Sequence, residues 1–342
     1  MLLTHTDHGL YCAAGDFFID PWQPVARAVI THAHGDHARA GSAAYLCATP
    51  GEGILRLRLG PEARIETAAY GQTLRLNGVA VSFHPAGHIL GSAQVRVAHG
   101  GEVWVISGDY KTEPDPTCAP FETVAADTFI TEATFGLPIY RWQPSARVFA
   151  EVNAWWQANQ AAGRTSVLFA YALGKAQRVL AGVDAAIGPI FVHGAVHRLN
   201  AAYCAAGVPL PAWRYVGDAP ADQDWSRALV IAPTSAQGTP WLRRFGDVSA
   251  AFASGWMRVR GQRRRRSVDR GFVLSDHADW PGLLAAIAAT GAGRVLVTHG
   301  YTAVLARYLR ESGREAYELN APYAGESLDE AADEGAPETH EE

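Results

Sequence analysis

Four short apolar segments in the first 140 residues each lead into a side chain that can bind a metal ion or move a proton. These segments, each with the side chain that follows it, are Arg27–Thr31 with His32, Val79–Phe83 with His88, Val103–Ser107 with Asp109, and Thr128–Thr131 with Glu132. Their length and composition are typical of buried β-strands. Because α/β proteins keep their sites at the carboxyl ends of strands, the pattern predicts an α/β fold with one polar site at those ends.

After residue 144 the sequence alternates between helical and strand patterns, and apolar segments that end in polar residues then resume. Helical spacing over Ser145–Ala161 is followed by a strand at Val167–Ala170 and by a second helix over 174–187. Polar strand ends resume at His277 and His299. This order favours a domain inserted within another domain. The predicted boundaries are a first part over 1–136, an insertion over 137–268, a return segment over 269–324 and a disordered acidic tail over 325–342.

Composition excludes several classes of protein. Hydrophobic residues make up 48% and charged residues 18%, which is enough for a core and argues against global disorder. No apolar run reaches the roughly 18 residues that a membrane span needs, and the N-terminus does not resemble a secretion signal. The four cysteines are scattered without paired spacing, which argues against a disulfide framework. The expectation is a soluble cytoplasmic protein with no membrane contact.

The net charge of −5 is concentrated at the C-terminus. Eight acidic residues and no lysine or arginine lie in 325–342, and setting those eight negative charges aside leaves +3 on the rest of the chain. An arginine-dense stretch covers Arg258–Arg270. These features are compatible with a polyanionic ligand, and the acidic tail is a candidate contact for a basic partner.

The segment after the first strand, His32-Ala33-His34-Gly35-Asp36-His37, is the densest group of metal ligands in the chain. Imidazole and carboxylate suit zinc, manganese or iron(II), and the lack of thiolates argues against a purely structural zinc site. Side chains alternate in extended backbone, so His32 and His34 face one side. Asp36 and His37 are then placed to serve a second ion. A solvated polar loop is the alternative.

His32-x-His34-x-Asp36-His37 resembles the signature of the metallo-β-lactamase superfamily. The other matches, in chain order, are Asp20 in Phe18-Ile19-Asp20-Pro21, His88 in Ala86-Gly87-His88, and Asp109 in Ser107-Gly108-Asp109-Tyr110. Three later motifs resemble the β-CASP nuclease branch, and they contain Glu132, His277 in Ser275-Asp276-His277-Ala278-Asp279, and His299 in Thr298-His299-Gly300. Tyr171–Gln177 is similar to the opening of the inserted β-CASP domain.

The resemblance implies an αββα sandwich with an inserted β-CASP domain and two divalent metal ions, zinc as bound, with manganese or iron able to support activity. The first ion would be held by His32, His34 and His88, and the second by Asp36, His37 and His299. Asp109 would bridge the two ions, and a water activated there would be the nucleophile. His277, held by Glu132, would protonate the leaving oxygen or orient the phosphate. Asp20 would support the ligand loop from behind.

Contacts to the substrate are less specific in the sequence. Lys175 follows Gly174 at a predicted helix start, where a phosphate can bind, and a lysine on the helix surface is the alternative. Ser235 lies in a polar turn after a strand. Arg258 and Arg260 belong to the arginine stretch and are candidates for the nucleic-acid backbone, against a solvated basic loop. Trp155 and Trp156 are expected to pack in a helix rather than to stack on bases.

The layout looks most like the short bacterial exonucleases associated with DNA ligase, relatives of the Artemis and Apollo repair nucleases. This implies a DNA exonuclease in DNA repair. RNA-processing members of the branch carry a histidine at the position of His299, so an RNA-processing ribonuclease is the alternative. A small-molecule ester or lactam hydrolase would not need Glu132, His277 or the insertion. An inactive binding subunit is expected to have lost metal ligands, and all seven are present here.

Overall fold

The computed structural model of the protein describes residues 2–259 and 268–319. Arg260 and the acidic tail predicted for 325–342 lie outside the described residues. The described chain divides into two compact units. The first contains the residues up to Arg141 together with those from Asp276 onward, and the second contains Trp142–Ser275. The boundaries given above for the inserted domain stay predictions.

The first unit begins with eleven strands and one helix. In chain order these are β1 (Thr4–Thr6), β2 (Gly9–Cys12), β3 (Phe17–Ile19), β4 (Ala28–Val29), β5 (Tyr45–Ala48), α1 (Glu52–Leu59), β6 (Ile65–Ala68), β7 (Thr73–Leu76), β8 (Val79–Pro85), β9 (Ala93–His99), β10 (Glu102–Ile106) and β11 (Thr128–Ala133). A short 3₁₀ helix at Thr49–Gly51 precedes α1.

The second unit follows. Its elements are α2 (Ser145–Ala161), β12 (Thr165–Phe169), α3 (Lys175–Gly182), β13 (Ile190–Val192), α4 (Gly194–Ala205), β14 (Arg214–Tyr215), β15 (Leu229–Ala232), β16 (Val248–Ala253) and β17 (Arg270–Phe272). Single 3₁₀ turns lie at Val216–Asp218, Thr234–Ala236, Pro240–Phe245 and Gly255–Arg258. The chain then completes the first unit with α5 (Trp280–Ala289), β18 (Arg294–Gly300), α6 (Thr302–Glu311) and β19 (Glu315–Glu318).

Two sheets form the first unit. One has the order β1-β2-β3-β4-β5-β6 and the other the order β19-β18-β11-β10-β9-β8-β7. Their facing sides share one apolar cluster, which includes Phe17 and Leu46 from the first sheet and Phe83 and Val95 from the second. The other face of the second sheet packs against α5 and α6. The carboxyl ends of β4, β8, β10, β11 and β18 carry the polar side chains that the sequence singles out.

The second unit is built on one sheet in which every pair of neighbours is parallel, with the order β14-β13-β15-β12-β16-β17. Side chains alternate along each strand, so Leu168 and Phe169 point to opposite faces. One face packs against α2, α3 and α4. The other face packs against the 3₁₀ segments, with Phe245 and Met257 in its core. Burial on both faces explains why these strands are continuously apolar in sequence.

The predicted α/β class is confirmed, and several elements lie where the sequence places them. α2 has the bounds predicted for it, and Trp155 and Trp156 pack in its core as expected. The second predicted helix, over 174–187, is too long, because α3 ends at Gly182 and the chain is extended at the β-branched Val183. No helix in the described parts of the chain is both long and apolar enough to cross a membrane.

Candidate metal centre

Three imidazoles and one carboxylate from three different loops meet in the first unit. The four side chains, His32, His34, His88 and Asp109, each offer a ligand atom, and these atoms lie within 4.8 Å of one another. His34 Nδ1 lies 3.1 Å from His32 Nε2 and 3.0 Å from His88 Nε2. All but His34 are buried. Polar side chains, three of them buried, converge here, which is the arrangement expected of a site that holds a cation.

A second group adjoins the first. Asp36, His37 and His299 also place ligand atoms within 4.8 Å of one another. The rings of His37 and His299 are parallel, with centroids 4.9 Å apart. Asp109 Oδ2 lies 3.5 Å from both His32 Nε2 and His37 Nε2, so this carboxylate stands between the two groups.

A β-bulge directs His299 into the second group. The register between β11 and β18 shifts after Glu132, so that Thr298 faces Glu132 and Gly300 faces Ala133, and His299 is the additional residue. Its φ of +57° is rare for a residue with a side chain. Gly300 follows with φ +66°, where a Cβ would come within 2.5 Å of the Ala133 carbonyl oxygen. Bulges of this kind re-aim side chains beside active sites.

Asp20 holds the ligand loop from behind. Its Oδ1 accepts a hydrogen bond from the Thr31 N–H, and its Oδ2 accepts one from Thr31 Oγ1 and lies 2.8 Å from His37 Nδ1. With Nδ1 engaged by a carboxylate, the Nε2 of His37 is directed toward Asp109. Gly108 allows the close approach of Thr31, since its φ is +55° and a Cβ would lie 2.7 Å from the Thr31 side chain.

The electrostatics of the pocket favour a cation. Burial and the nearby His37 hold the pKa of His32 well below its ordinary value, and burial and His277 do the same for His88, which favours the neutral form of both rings, the form that can bind a metal ion. Burial opposes charge on Asp109, yet His37 keeps the pKa of this carboxyl well below its usual range. Burial also opposes charge on His37, but Asp36 and Asp109 raise its pKa well above the ordinary value. The same carboxylates attract a metal ion.

The backbone after Asp109 ties three parts of the pocket together. The Tyr110 N–H donates to Glu132 Oε1 (2.8 Å), and the Tyr110 carbonyl accepts from the Ala278 N–H (2.7 Å). The Lys111 N–H donates to the Ala86 carbonyl (3.0 Å), two residues before His88. Because these bonds use the backbone groups that follow Asp109 in a buried segment, they fix Asp109 relative to the strands and loops around it.

His277 and Glu132 form a buried pair beside the ligand groups. His277 Nδ1 lies 2.9 and 3.0 Å from the two carboxylate oxygens of Glu132, and neither side chain is more than 4% exposed. The ring centroid of His277 is 4.6 Å from that of His88. The contact with the carboxylate fixes the orientation of the His277 ring through Nδ1. Asp109, Glu132 and His277 also form a third group of ligand atoms within 4.8 Å.

These residues fit divalent metal ions. The donors are imidazole nitrogens and carboxylate oxygens, the set that zinc, manganese and iron share. Asp109 Oδ1 is buried and makes no hydrogen bond within the described parts of the chain, as expected for an oxygen positioned to bind a cation. The clusters can therefore hold metal ions, while the identity and number of the ions stay predictions.

The four residues proposed for substrate contacts belong to the second unit or lie outside the description. Lys175 begins α3 and is 1% exposed, with Nζ 5.3 Å from the ring centroid of Tyr171, so it is not the surface lysine of the alternative interpretation. Ser235 lies in the 3₁₀ turn after β15, half-buried. Arg258 ends the 3₁₀ turn Gly255–Arg258. Arg260 is outside the described residues, so its role stays a prediction.

Sequence reasoning missed several supporting groups. Thr31 contacts Asp20 and lies 3.0 Å from His32 Nδ1 through its hydroxyl. Ser92 Oγ accepts the His88 N–H, and the Asp276 carbonyl lies 2.8 Å from His88 Nδ1. Thr31 adjoins the histidine motif and was recognisable as a candidate. A backbone carbonyl 188 residues away leaves no signal in the sequence.

No family model matches the chain. A protein from Opitutus terrae described as a probable DNA ligase is 33% identical over 314 residues, which covers 91% of this chain and 30% of that relative. The endoribonuclease YSH1 of Eremothecium gossypii is 31% identical over 123 residues, 35% of this chain and 16% of the relative. YSH1 of Saccharomyces cerevisiae is 28% identical over 123 residues, again 35% and 16%. The chain thus spans less than a third of the length of these relatives.

A solved structure shares the fold. The crystal structure of a protein of unknown function from Enterococcus faecalis V583 matches 86% of this chain and 79% of its own, with a TM-score of 0.60 and 10% sequence identity. At that identity the likeness concerns the fold alone.

Proposed function

We propose that the protein is a metal-dependent phosphodiesterase of the β-CASP type that cleaves nucleic acid. The observation that carries this proposal is the buried His277–Glu132 pair set directly beside two groups of metal ligands. Hydrolysis at phosphorus needs both a charged pocket for the phosphate and a proton for the leaving oxygen. In this proposal the first unit is the metallo-β-lactamase sandwich and the second is the β-CASP insertion.

In this proposal each group of ligand residues would hold one of two metal ions. His32, His34 and His88 would hold one, Asp36, His37 and His299 the other, and Asp109 would be shared. When bound, divalent ions at such a site lower the pKa of a water molecule and neutralise charge on the phosphate.

The protein's own side chains supply orientation and a proton. Asp20 fixes His37 through Nδ1, and the backbone bonds of Tyr110 and Lys111 fix Asp109. His277 would donate a proton from Nε2 to the leaving oxygen, while Glu132 stabilises positive charge on the ring through Nδ1. Burial of the pair keeps bulk water from competing for that proton.

We favour DNA as the substrate, with the protein acting as an exonuclease in DNA repair. The relative described as a probable DNA ligase matches nearly the whole chain, whereas the endoribonucleases match about a third of it. That ligase is about three times longer than the matching segment, which supports a DNA ligase as a functional partner, with a helicase as an alternative. RNA processing is the second candidate, supported by the YSH1 matches and by the presence of His299.

End-labelled single-stranded DNA and RNA of the same sequence, each with and without a 5′-phosphate, test the proposal in zinc, manganese or magnesium. Asp109→Ala is the control. We expect metal-dependent shortening of DNA that the control lacks. Cleavage of RNA alone would mean that RNA, and not DNA, is the substrate. Intact DNA and RNA with metal bound would refute the nuclease function.

A further inference from the structure

The sheet of the second unit has a place, between the parallel neighbours β13 and β15, where the chain connections diverge. After β13 the chain passes through α4 on one face of the sheet toward β14, and after β15 it passes through 3₁₀ segments on the other face toward β16. The two connections leave in opposite directions. In open parallel sheets, this is where a gap opens at the carboxyl ends of the strands and where ligands bind.

Aromatic side chains line this position. His193 directly follows β13, and its ring lies 5.0 Å from that of Trp241 at an interplanar angle of 69°. Both rings are half-buried, so each keeps accessible surface. Trp241 rests in turn on Phe245, a core residue, with centroids 4.8 Å apart. The tryptophan is therefore held rigidly by the core while part of its ring remains open.

Two arginines follow Trp241 along the 3₁₀ segment Pro240–Phe245. This segment runs from beside His193, at the carboxyl end of β13, to Phe245, whose carbonyl accepts a hydrogen bond from Thr165 Oγ1 at the start of β12. Arg243 and Arg244 are exposed and make no ion pair within the described parts of the chain. The guanidinium of Arg244 lies 5.8 Å from the ring centroid of Trp241. A cation beside an open aromatic ring is the combination that binds a base and its phosphate together.

We propose that the surface around Trp241, which begins at the carboxyl ends of β13 and β15, binds unpaired nucleotides of a single strand. Trp241, with His193 at its side, contacts a base, and Arg243 and Arg244 contact neighbouring phosphates. This inference rests on the proposed nuclease function and narrows its substrate to single-stranded nucleic acid. A base in a duplex is stacked on both faces and cannot reach the ring, so duplex DNA gains only the phosphate contacts.

Binding measured without cleavage tests this site. Fluorescein-labelled dT12, rU12 and a 12-base-pair duplex are titrated in an Asp109→Ala background, and the Kd is followed by anisotropy at several salt concentrations. Arg243→Ala/Arg244→Ala is compared with Arg58→Ala/Arg75→Ala, which removes two exposed arginines of the first unit. Trp241→Leu keeps apolar packing without a ring, and Trp241→Phe keeps a ring. Circular dichroism confirms that each variant is folded.

We expect the Arg243/Arg244 variant to bind dT12 roughly tenfold more weakly at low salt. The slope of log K against log salt should fall by about 1.4, because each lost phosphate contact on a single strand removes about 0.7. Trp241→Leu should weaken single-strand binding roughly fivefold or more and duplex binding very little, while Trp241→Phe restores most of the affinity.

Equal Kd values and slopes for the Arg243/Arg244 variant and the Arg58/Arg75 control would overturn the site. An equal loss of duplex and single-strand affinity in Trp241→Leu would overturn the contact to a base. Failure of the nuclease function shows separately, as intact substrate with the wild-type protein, whereas failure of this site leaves wild-type cleavage in place.

Discussion

Each unit carries a group of polar side chains to which a role is assigned above, but the two groups differ in their exposure to solvent. In the first unit the ligand side chains are buried, as for His32 and Asp109 at 4% exposure each. In the second unit Arg243 and Arg244 are exposed. A metal site needs fixed donors in a water-poor pocket, where electrostatic attraction is strong. A surface for a flexible polyanion needs charges that the polymer can reach. This difference in burial is what we expect if the first group serves chemistry and the second serves binding.

The largest effect is expected at the carboxylate shared by the two ligand groups. Asp109→Ala should lower cleavage by on the order of 10³-fold or more, because both groups lose a ligand at once. Bound metal, measured by mass spectrometry of the intact protein, should fall, and the far-ultraviolet circular dichroism should be retained. Nearly full activity in this variant would contradict the assignment of the buried pocket to chemistry.

His277→Ala separates proton transfer from metal binding. We expect kcat on the nucleic-acid substrate to fall by roughly a hundredfold with metal content unchanged. The effect should be much smaller on bis(p-nitrophenyl) phosphate, whose leaving group needs no proton. Loss of metal in this variant would mean that His277 is a ligand. An equal loss on both substrates would exclude it as the acid.

The same contrast explains how much the sequence could predict. Four possible metal ligands within six residues after an apolar strand indicate a metal pocket, because few other environments tolerate that density. The apolar strands of both units follow from the same patterning. Trp241 and His193 meet across 48 residues, and each is unremarkable in its own segment. The bulge at His299 was equally hidden, because it depends on the register of β18 against β11.

The core of the second unit should support stability without affecting the metal pocket. Trp156 is fully buried, and its Nε1–H donates to the Arg227 carbonyl (3.1 Å). Trp156→Ala should lower the free energy of unfolding by about 3–5 kcal/mol, through the cavity and the lost hydrogen bond. Urea unfolding followed by circular dichroism measures this, and the exposed Leu57→Ala is the control. A fall in metal content in the folded variant would contradict the expectation that this core does not affect the metal pocket.

The smallest effect is expected for Asp20, which supports the ligand loop without offering a ligand atom itself. Asp20→Asn removes one of the two carboxylate oxygens that hold Thr31 and His37, so we expect metal affinity to fall about 10- to 100-fold with the fold preserved. Asp16→Asn is a matched control. Asp16 also has a positive φ (52°, against 41° for Asp20), which asparagine tolerates. Unlike Asp20, it is exposed, and among the described contacts its side chain bonds only Tyr11 Oη. Competition with a chromophoric chelator gives both affinities. Equal affinities would mean that His37 is oriented by its neighbours in the pocket and not by the carboxylate behind it.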